Sequence, residues 1–381
     1  MNVLVLGSGL VGRPMAADLA KDPSFTVTVA DRSTESLNKI PSALPIKKAQ
    51  ADLSNSEDLQ KLLPSADIVL NAVPGFMGFN TMKQIITAGK NVVDIAFFPE
   101  DCFLLDALAK EKNVIAVTDC GVAPGMSNLL AGHVDHLLDS TETVLIYVGG
   151  LPVIRDWPFE YKAPFSPIDV IEEYTRPARY VENGVLVTRP ALSDPEFLSF
   201  PGIGTLEAFN SDGLRSLAVT LKAPNMKEKT LRYPGHIEKI ALLRESGFFS
   251  EKEIDVKGVR VRPLDVATKL LFPMWELKED DEEFTVMKVI VEGRKGHDTL
   301  RYTYDLMDRH DAATNVHSMS RVTGYTATTA LRMVAKGLYT RKGISPPEFI
   351  GREPECVKFM LDGLKERGVV YHEKIEMIKS V

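Results

Sequence analysis

The stretch Gly7-Ser8-Gly9-Leu10-Val11-Gly12 constrains this chain more than any other. It follows Val3-Leu4-Val5-Leu6, an apolar run long enough for a buried strand and too short for a helix. It opens the segment Leu10 to Lys21, where Leu10, Val11, Met15 and Leu19 recur at helical spacing. Strand, glycine turn and helix thus come in the order of a dinucleotide-binding G-x-G-x-x-G. Gly7 makes the tight turn, Gly9 lets a pyrophosphate approach the backbone, and Gly12 lets helix and strand pack. The helix N-terminus then offers free N–H groups and the positive end of its dipole to the phosphates.

A second β-rich run, Phe25 to Ala30, ends at Asp31, 19 residues after Gly12. An acid at about that distance binds the adenosine ribose of NAD, and a nearby Arg, here Arg32, accommodates the 2′-phosphate of NADP. The expected cofactor is NAD, with NADP possible. Pro45 to Ala51 reads as a third strand ending at Asp52, an acid that either approaches the adenine or caps the next helix, Ser56 to Leu63. Asp67 to Pro74 is a strongly apolar fourth strand, and its carboxyl end places Asn71, Val73 and Pro74 at the cofactor. A turn at Gly75-Phe76-Met77-Gly78, a helix from Phe79 to Ala88, and strands at Asn91 to Ile95 and Asn113 to Thr118 complete the alternation. The fold class expected is α/β: a Rossmann doubly wound parallel sheet with a second, mixed α+β substrate domain.

The domains expected are residues 1–122 for the dinucleotide, 123–320 for substrate and dimerisation, and 321–381 as a helical segment returning to the first. Residues 153 to 215 are rich in prolines and aromatics. Phe284 to Glu292 and Thr299 to Leu306 predict a hairpin about Gly293-Arg294-Lys295-Gly296, and Thr326 to Leu338 a helix. The acidic run Glu279 to Glu283 predicts a solvated loop.

A net charge of −7 with no basic stripe argues against nucleic acid as a partner. No apolar run approaches the roughly 18 residues of a membrane span. The first strand begins at about Asn2, so no leader is expected and the cytoplasm is the default. The three cysteines, Cys102, Cys120 and Cys356, lie far apart, and no metal is expected.

Several strings resemble one family in the same order along nearly the whole chain. They are Val3-Leu4-Val5-Leu6-Gly7-Ser8-Gly9, Gly121-Val122-Ala123-Pro124-Gly125-Met126, Tyr147-Val148-Gly149-Gly150-Leu151-Pro152 and Leu231-Arg232-Tyr233-Pro234-Gly235-His236. They resemble the saccharopine dehydrogenase / lysine 6-dehydrogenase family. The hexapeptide at Gly121 is similar to the lysine 6-dehydrogenase branch. The glutamate-forming saccharopine enzymes carry Asp where this chain has Ala123, and a tyrosine where it has Phe97. The resemblance implies oxidation of an amine carbon of L-lysine or a close analogue by NAD(P)⁺, through an imine that water hydrolyses to a semialdehyde. It also implies a small amino-acid substrate and a homodimer. The alternatives are saccharopine dehydrogenase itself and a non-catalytic dinucleotide sensor.

That chemistry asks for an acceptor beside the ammonium and an arginine for the α-carboxylate. Asp119, at the carboxyl end of the sixth strand, is the candidate for the amine or for proton transfer, against a role in capping the hinge. Asp94, at the end of the fifth, is the second candidate. Arg232, with Tyr233 beside it, is the first choice for the carboxylate, with Arg215 as backup. His236 at a helix start is expected to be neutral, which suits a proton acceptor. Cys120 reads as a buried small apolar residue.

Overall fold

The computed structural model describes residues 1–378 and divides into two compact units, Met1–Leu138 with Met319–Tyr371, and Asp139–Ser318 with the tail from His372. The first opens with β1 (Asn2–Leu6), α1 (Gly12–Ala20), β2 (Thr26–Asp31), α2 (Thr34–Asn38), β3 (Ile46–Gln50), α3 (Ser56–Leu62), β4 (Ile68–Asn71), α4 (Gly75–Thr87), β5 (Asn91–Asp94), α5 (Asp106–Glu111), β6 (Ile115–Val117) and α6 (Met126–Leu137). The glycine-rich turn expected after the fourth strand is already helix. Pro74 caps α4, and Gly78 lies so close to Ala96 that a Cβ there would stand 2.8 Å from the alanine methyl. The unit also runs past the boundary expected at 122. Gly132 of α6 lies against the backbone of Glu348, where a Cβ would be 2.5 Å from the carbonyl oxygen, so α6 belongs with the first unit.

The second unit contains β7 (Ser140–Pro152), α7 (Pro167–Thr175), β8 (Ala178–Glu182), β9 (Val185–Arg189), β10 (Glu196–Phe200), β11 (Gly204–Asn210), α8 (Leu217–Thr220), β12 (Asn225–Arg232), α9 (His236–Glu245), β13 (Ile254–Val256), β14 (Val259–Val261), α10 (Pro263–Trp275), β15 (Glu283–Lys295) and β16 (Asp298–Arg309). Its main sheet runs β10-β11-β12-β7-β15-β16 and ends on β18 (Tyr371–Ile378), with β8 and β9 branching from β12. β12 and β7 are parallel and their other neighbours antiparallel. The hairpin is longer than its sequence signal, because β15 continues through Gly293 to Lys295 and carries the buried Glu283 at its start. One apolar core gathers Tyr161, Tyr174, Phe209 and Trp275 with the buried faces of α7, α9 and α10.

The chain then returns to the first unit through α11 (Ser318–Ala335), β17 (Gly343–Ser345), α12 (Pro347–Gly351) and α13 (Pro354–Glu366). β17 adds a seventh parallel strand beside β6, giving the order β17-β6-β5-β4-β1-β2-β3. Three residues are too few to show a period, so sequence alone offers no sign of it. α11 starts eight residues before the expected Thr326. Gly324 lies on Val11, the N-cap of α1, and on Met15 within it, while Thr328 and Arg332 bind Asp18 one turn further on, at 2.6 and 2.7 Å. The two helices therefore run parallel. Arg367 completes the tie, with Nε 2.8 Å from the other Asp18 oxygen.

In this sheet β1 lies between β2 and β4. That is the point where strand order reverses, and open α/β sheets bind ligands outside the carboxyl ends of strands there. Leu6 pairs with Ala30 and Asn71, and Asn71 with Asp94, so one edge collects the glycine turn, Asp31, Asn71 and Asp94.

Candidate active site

The glycine turn is built for a close ligand. Gly7 has φ +101°, and a Cβ there would lie 2.7 Å from the Ala72 carbonyl. A Cβ on Gly12 would meet the Gly7 carbonyl at 2.2 Å. Gly9 is different: nothing lies within 4 Å of where its Cβ would point. Leu10 and Val11 then lead into α1, which has no side-chain cap and no acid in its first turn. The Ser8 hydroxyl is buried without a partner. Unmet donors around an open glycine fit a pyrophosphate, the group this turn would hold.

Asp31 does more than wait for a ribose. Its carboxylate accepts the Ser8 N–H at 2.7 Å and the Ser33 N–H at 2.8 Å, pinning the turn to the strand end. Each oxygen keeps a lone pair for a sugar hydroxyl. Arg32 is exposed beside it. Asp52 is not the helix cap: it accepts from the Ser54 amide and hydroxyl, while Asn55 caps α3. The Ser54 hydroxyl holds Asp52 below the usual carboxylate range. At the end of β4, the Asn71 amide donates to Asp94 at 2.6 Å and its own oxygen has no partner. Val73 is buried, and Pro74 exposed.

Asp94 and Asp119 are both buried, at the carboxyl ends of neighbouring strands. Asp94 also accepts the Ala96 N–H at 3.1 Å. Asp119 has φ +50°, a left-handed conformation that Asp tolerates better than most residues. Cys120 follows, its amide on the Asp94 carbonyl at 2.8 Å. Burial, then the two aspartates, push its thiol far above the ordinary range, so it stays protonated. The side chain is the buried apolar group its sequence suggested.

The second unit corrects two expectations. Arg232 was the expected carboxylate anchor, but its fork is spent inside the core. Nη2 donates to Glu173 at 2.7 Å, Nε to the Tyr174 hydroxyl at 3.2 Å and Nη1 to the Leu231 carbonyl at 2.9 Å. The guanidinium lies 4.4 Å over the Tyr161 ring. A buried guanidinium must find such partners, since an unpaired charge there is prohibitive. His236 was the expected proton acceptor, but both ring nitrogens are engaged, Nδ1 with the Phe159 carbonyl at 2.8 Å and Nε2 with Tyr174 at 2.9 Å. Burial and then the Arg232 charge lower its pKa to about 3. The ring is neutral, and both of its nitrogens are held by partners within the fold.

Tyr233 donates to the Pro152 carbonyl at 2.8 Å and carries Arg155 on its ring. Arg215 is half-buried in a turn, with φ +53°. That turn is held by Glu228, which sequence reading passed over. Its carboxylate accepts the Ser211 hydroxyl at 2.7 Å and the Gly213 N–H at 3.0 Å. Burial, opposed by the Ser211 hydrogen bond, leaves it titrating at about 7. Glu173 and Tyr174 were missed as well. Their only signal is the amphipathic segment Pro167–Thr175, in which Val170, Ile171 and Tyr174 are buried. Among the described residues no three His, Cys, Asp or Glu side chains are placed to share a metal, and no helix is long and apolar enough to cross a membrane.

Comparisons with known proteins agree with this architecture. The profile of the saccharopine dehydrogenase NADP binding domain matches residues 3–117, and that of the saccharopine dehydrogenase C-terminal domain matches residues 121–369. The saccharopine dehydrogenase [NADP(+), L-glutamate-forming] of Pyricularia oryzae is 29% identical over 269 residues, 66% of this chain and 59% of the relative. The Saccharomyces cerevisiae protein of the same description is 26% identical over 263 residues, again 66% and 59%. The mitochondrial alpha-aminoadipic semialdehyde synthase of Rattus norvegicus is 27% identical over 252 residues, 62% of this chain and 27% of that one. The matched stretch thus spans under two thirds of each relative. An apo saccharopine dehydrogenase (L-Glu forming) structure from Saccharomyces cerevisiae shares the fold, with a TM-score of 0.79 over 98% of this chain and 99% of that one at 20% identity. With both family domains matched in order over almost its whole length, this chain belongs to the saccharopine dehydrogenase family.

Proposed function

We propose that this protein oxidises the side-chain amine carbon of L-lysine or a close lysine-derived amino acid with NAD(P)⁺, through an imine that is hydrolysed to a semialdehyde. The observation that carries the reading is the buried pair Asp94 and Asp119 on the sheet edge that also holds the glycine turn. The dinucleotide, when bound, supplies the hydride acceptor. The substrate ammonium must lose a proton before its carbon can give up hydride, and either carboxylate can accept it. Asn71 fixes Asp94 in place for that task. Cys120 lies beside both and, as a protonated thiol, does not compete as a nucleophile. Arg232 is not part of this assignment, because Glu173 and Tyr174 occupy it.

Phe97 and Ala123 favour a primary amine as substrate. They are apolar where the glutamate-forming enzymes carry hydrogen-bonding groups. The names of the relatives favour saccharopine as the second reading. Incubation with either dinucleotide and L-lysine, then with saccharopine, separates the two. Reduced cofactor with ammonia release from lysine supports the first reading. Glutamate formed only from saccharopine supports the second. Tight dinucleotide binding without turnover of any amino acid rejects both.

A further inference from the structure

Residues 251–260 form the longest fully exposed stretch among the described residues. They hold β13, the turn Lys257-Gly258 and the start of β14, and the two strands pair only with each other. Both turn residues have positive φ, +55° and +84°, as a tight two-residue hairpin requires. Ile254 lies opposite Val261 and Val256 opposite Val259, so these four side chains share one face. Asp255 and Arg260 oppose each other on the other face, where Arg260 also reaches Glu253 at 3.7 Å. The ribbon is thus a small aliphatic plate backed by charge. Val259 is 62% exposed, and Ile254 and Val256 are exposed beside it. A lone two-stranded ribbon is at best marginally stable in water, and one with an apolar face calls for a cover.

α10, which follows directly, is apolar on two sides. Leu264, Ala267, Leu271 and Trp275 are buried and face the core of the second unit. Val266, Leu270 and Met274, spaced four apart, form a second stripe, and all three are exposed, Leu270 by 63%. A helix with two apolar stripes is shaped for two neighbours, and among the described residues the outer stripe lacks one. Plate and stripe do not cover each other within the chain, since both are exposed.

The occupant that fits both is a second copy. Each chain owns one plate and one helical ridge. A two-fold axis that lays the plate of each on the ridge of the other covers all four surfaces and closes the assembly. Any other partner would have to supply both shapes. Charge favours the same arrangement. The ribbon tip carries the exposed Lys257. The far end of α10 carries Glu276, with Glu279 and Asp280 just beyond, all exposed. That end of the helix is also the negative end of its dipole. At the other end of α10 the charges already cancel, as Arg262 pairs with Asp265 at 2.5 Å.

We propose that the β13–β14 ribbon and the outer stripe of α10 form a reciprocal interface between two copies of this chain, with Lys257 of one copy beside the partner's Glu276.

Sedimentation velocity of the full chain over a range of concentrations tests it. The wild type should be a reversible dimer. Val259→Asp and Leu270→Asp should each raise the dimer dissociation constant by about a hundredfold, because each buries an unpaired charge twice per dimer. Far-UV circular dichroism should be unchanged, since both side chains are exposed in the single chain. Lys257→Glu and Glu276→Lys should each weaken the dimer by about tenfold, and the combined Lys257→Glu/Glu276→Lys should restore it. A wild type that stays monomeric at every concentration overturns the proposal and leaves the plate to a different protein. A dimer that Val259→Asp and Leu270→Asp do not weaken lies on another surface and overturns it too. A combined charge variant no tighter than the single ones overturns the reciprocal arrangement.

Discussion

The Tyr174 hydroxyl donates to Nε2 of His236 at 2.9 Å, in a core where neither ring meets water. The Phe159 carbonyl can only accept, so Nδ1 carries the proton and Nε2 is the acceptor. This arrangement has a pH signature. An unfolded histidine titrates near 6.5, whereas His236 in the fold stays neutral down to about 3. Between those values the unfolded chain binds the extra proton, so stability rises with pH there. The contribution of neutral His236 is full above about pH 6.5 and falls on acidification, by up to about 1.4 kcal/mol per pH unit. Urea unfolding at several pH values checks it. His236→Gln should reduce the acid-side slope, and parallel curves for the two proteins would contradict the assignment.

Arg232 and Glu173 make the same core costly to edit. Arg232→Ala strands a part-buried carboxylate and leaves a hole in the core, and should destabilise the protein by about 3 kcal/mol. Replacing both partners with apolar residues, as in Arg232→Met/Glu173→Leu, should recover much of that loss. Denaturant midpoints measure both. A fully stable Arg232→Ala protein with only a raised KM for its amino acid would restore Arg232 as a substrate anchor.

Gly9 and Gly12 should behave oppositely. A side chain on Gly9 meets nothing in the protein, so Gly9→Val should fold and melt almost normally yet fail to bind NADH. A side chain on Gly12 would meet the Gly7 carbonyl at 2.2 Å, so Gly12→Val should lose both folding and binding. Thermal melts paired with NADH fluorescence titrations test the contrast. Normal NADH affinity in folded Gly9→Val would remove the pyrophosphate from this turn.

Cofactor choice turns on Asp31 against Arg32. The carboxylate is anchored by two backbone amides, while Arg32 is exposed on a long stem. A 2′-phosphate would meet a fixed negative charge, so NAD should be preferred, with NADP tolerated. Asp31→Ser should shift the ratio of kcat/KM toward NADP. A wild type that already prefers NADP would overturn this reading of Asp31.

Local signals were enough for the first βαβ steps of the dinucleotide unit. A glycine turn between an apolar strand and an amphipathic helix states its own geometry, because Gly7 and Gly12 answer to contacts within one βαβ step. The strand ends bearing Asp31, Asn71 and Asp94 were legible for the same reason: period and length place them, and parallel register brings them to one edge. What sequence could not determine was how each polar side chain is spent. Arg232 and His236 lie in a stretch that reads as a site, yet their partners Glu173, Tyr174 and Phe159 come from segments 59, 62 and 77 residues away. Burial decided their roles, since a charge or ring nitrogen removed from water must be paired, and only the tertiary fold determines with what. The three-residue β17 likewise has no local signature. It takes its place only when the returning chain pairs it with β6.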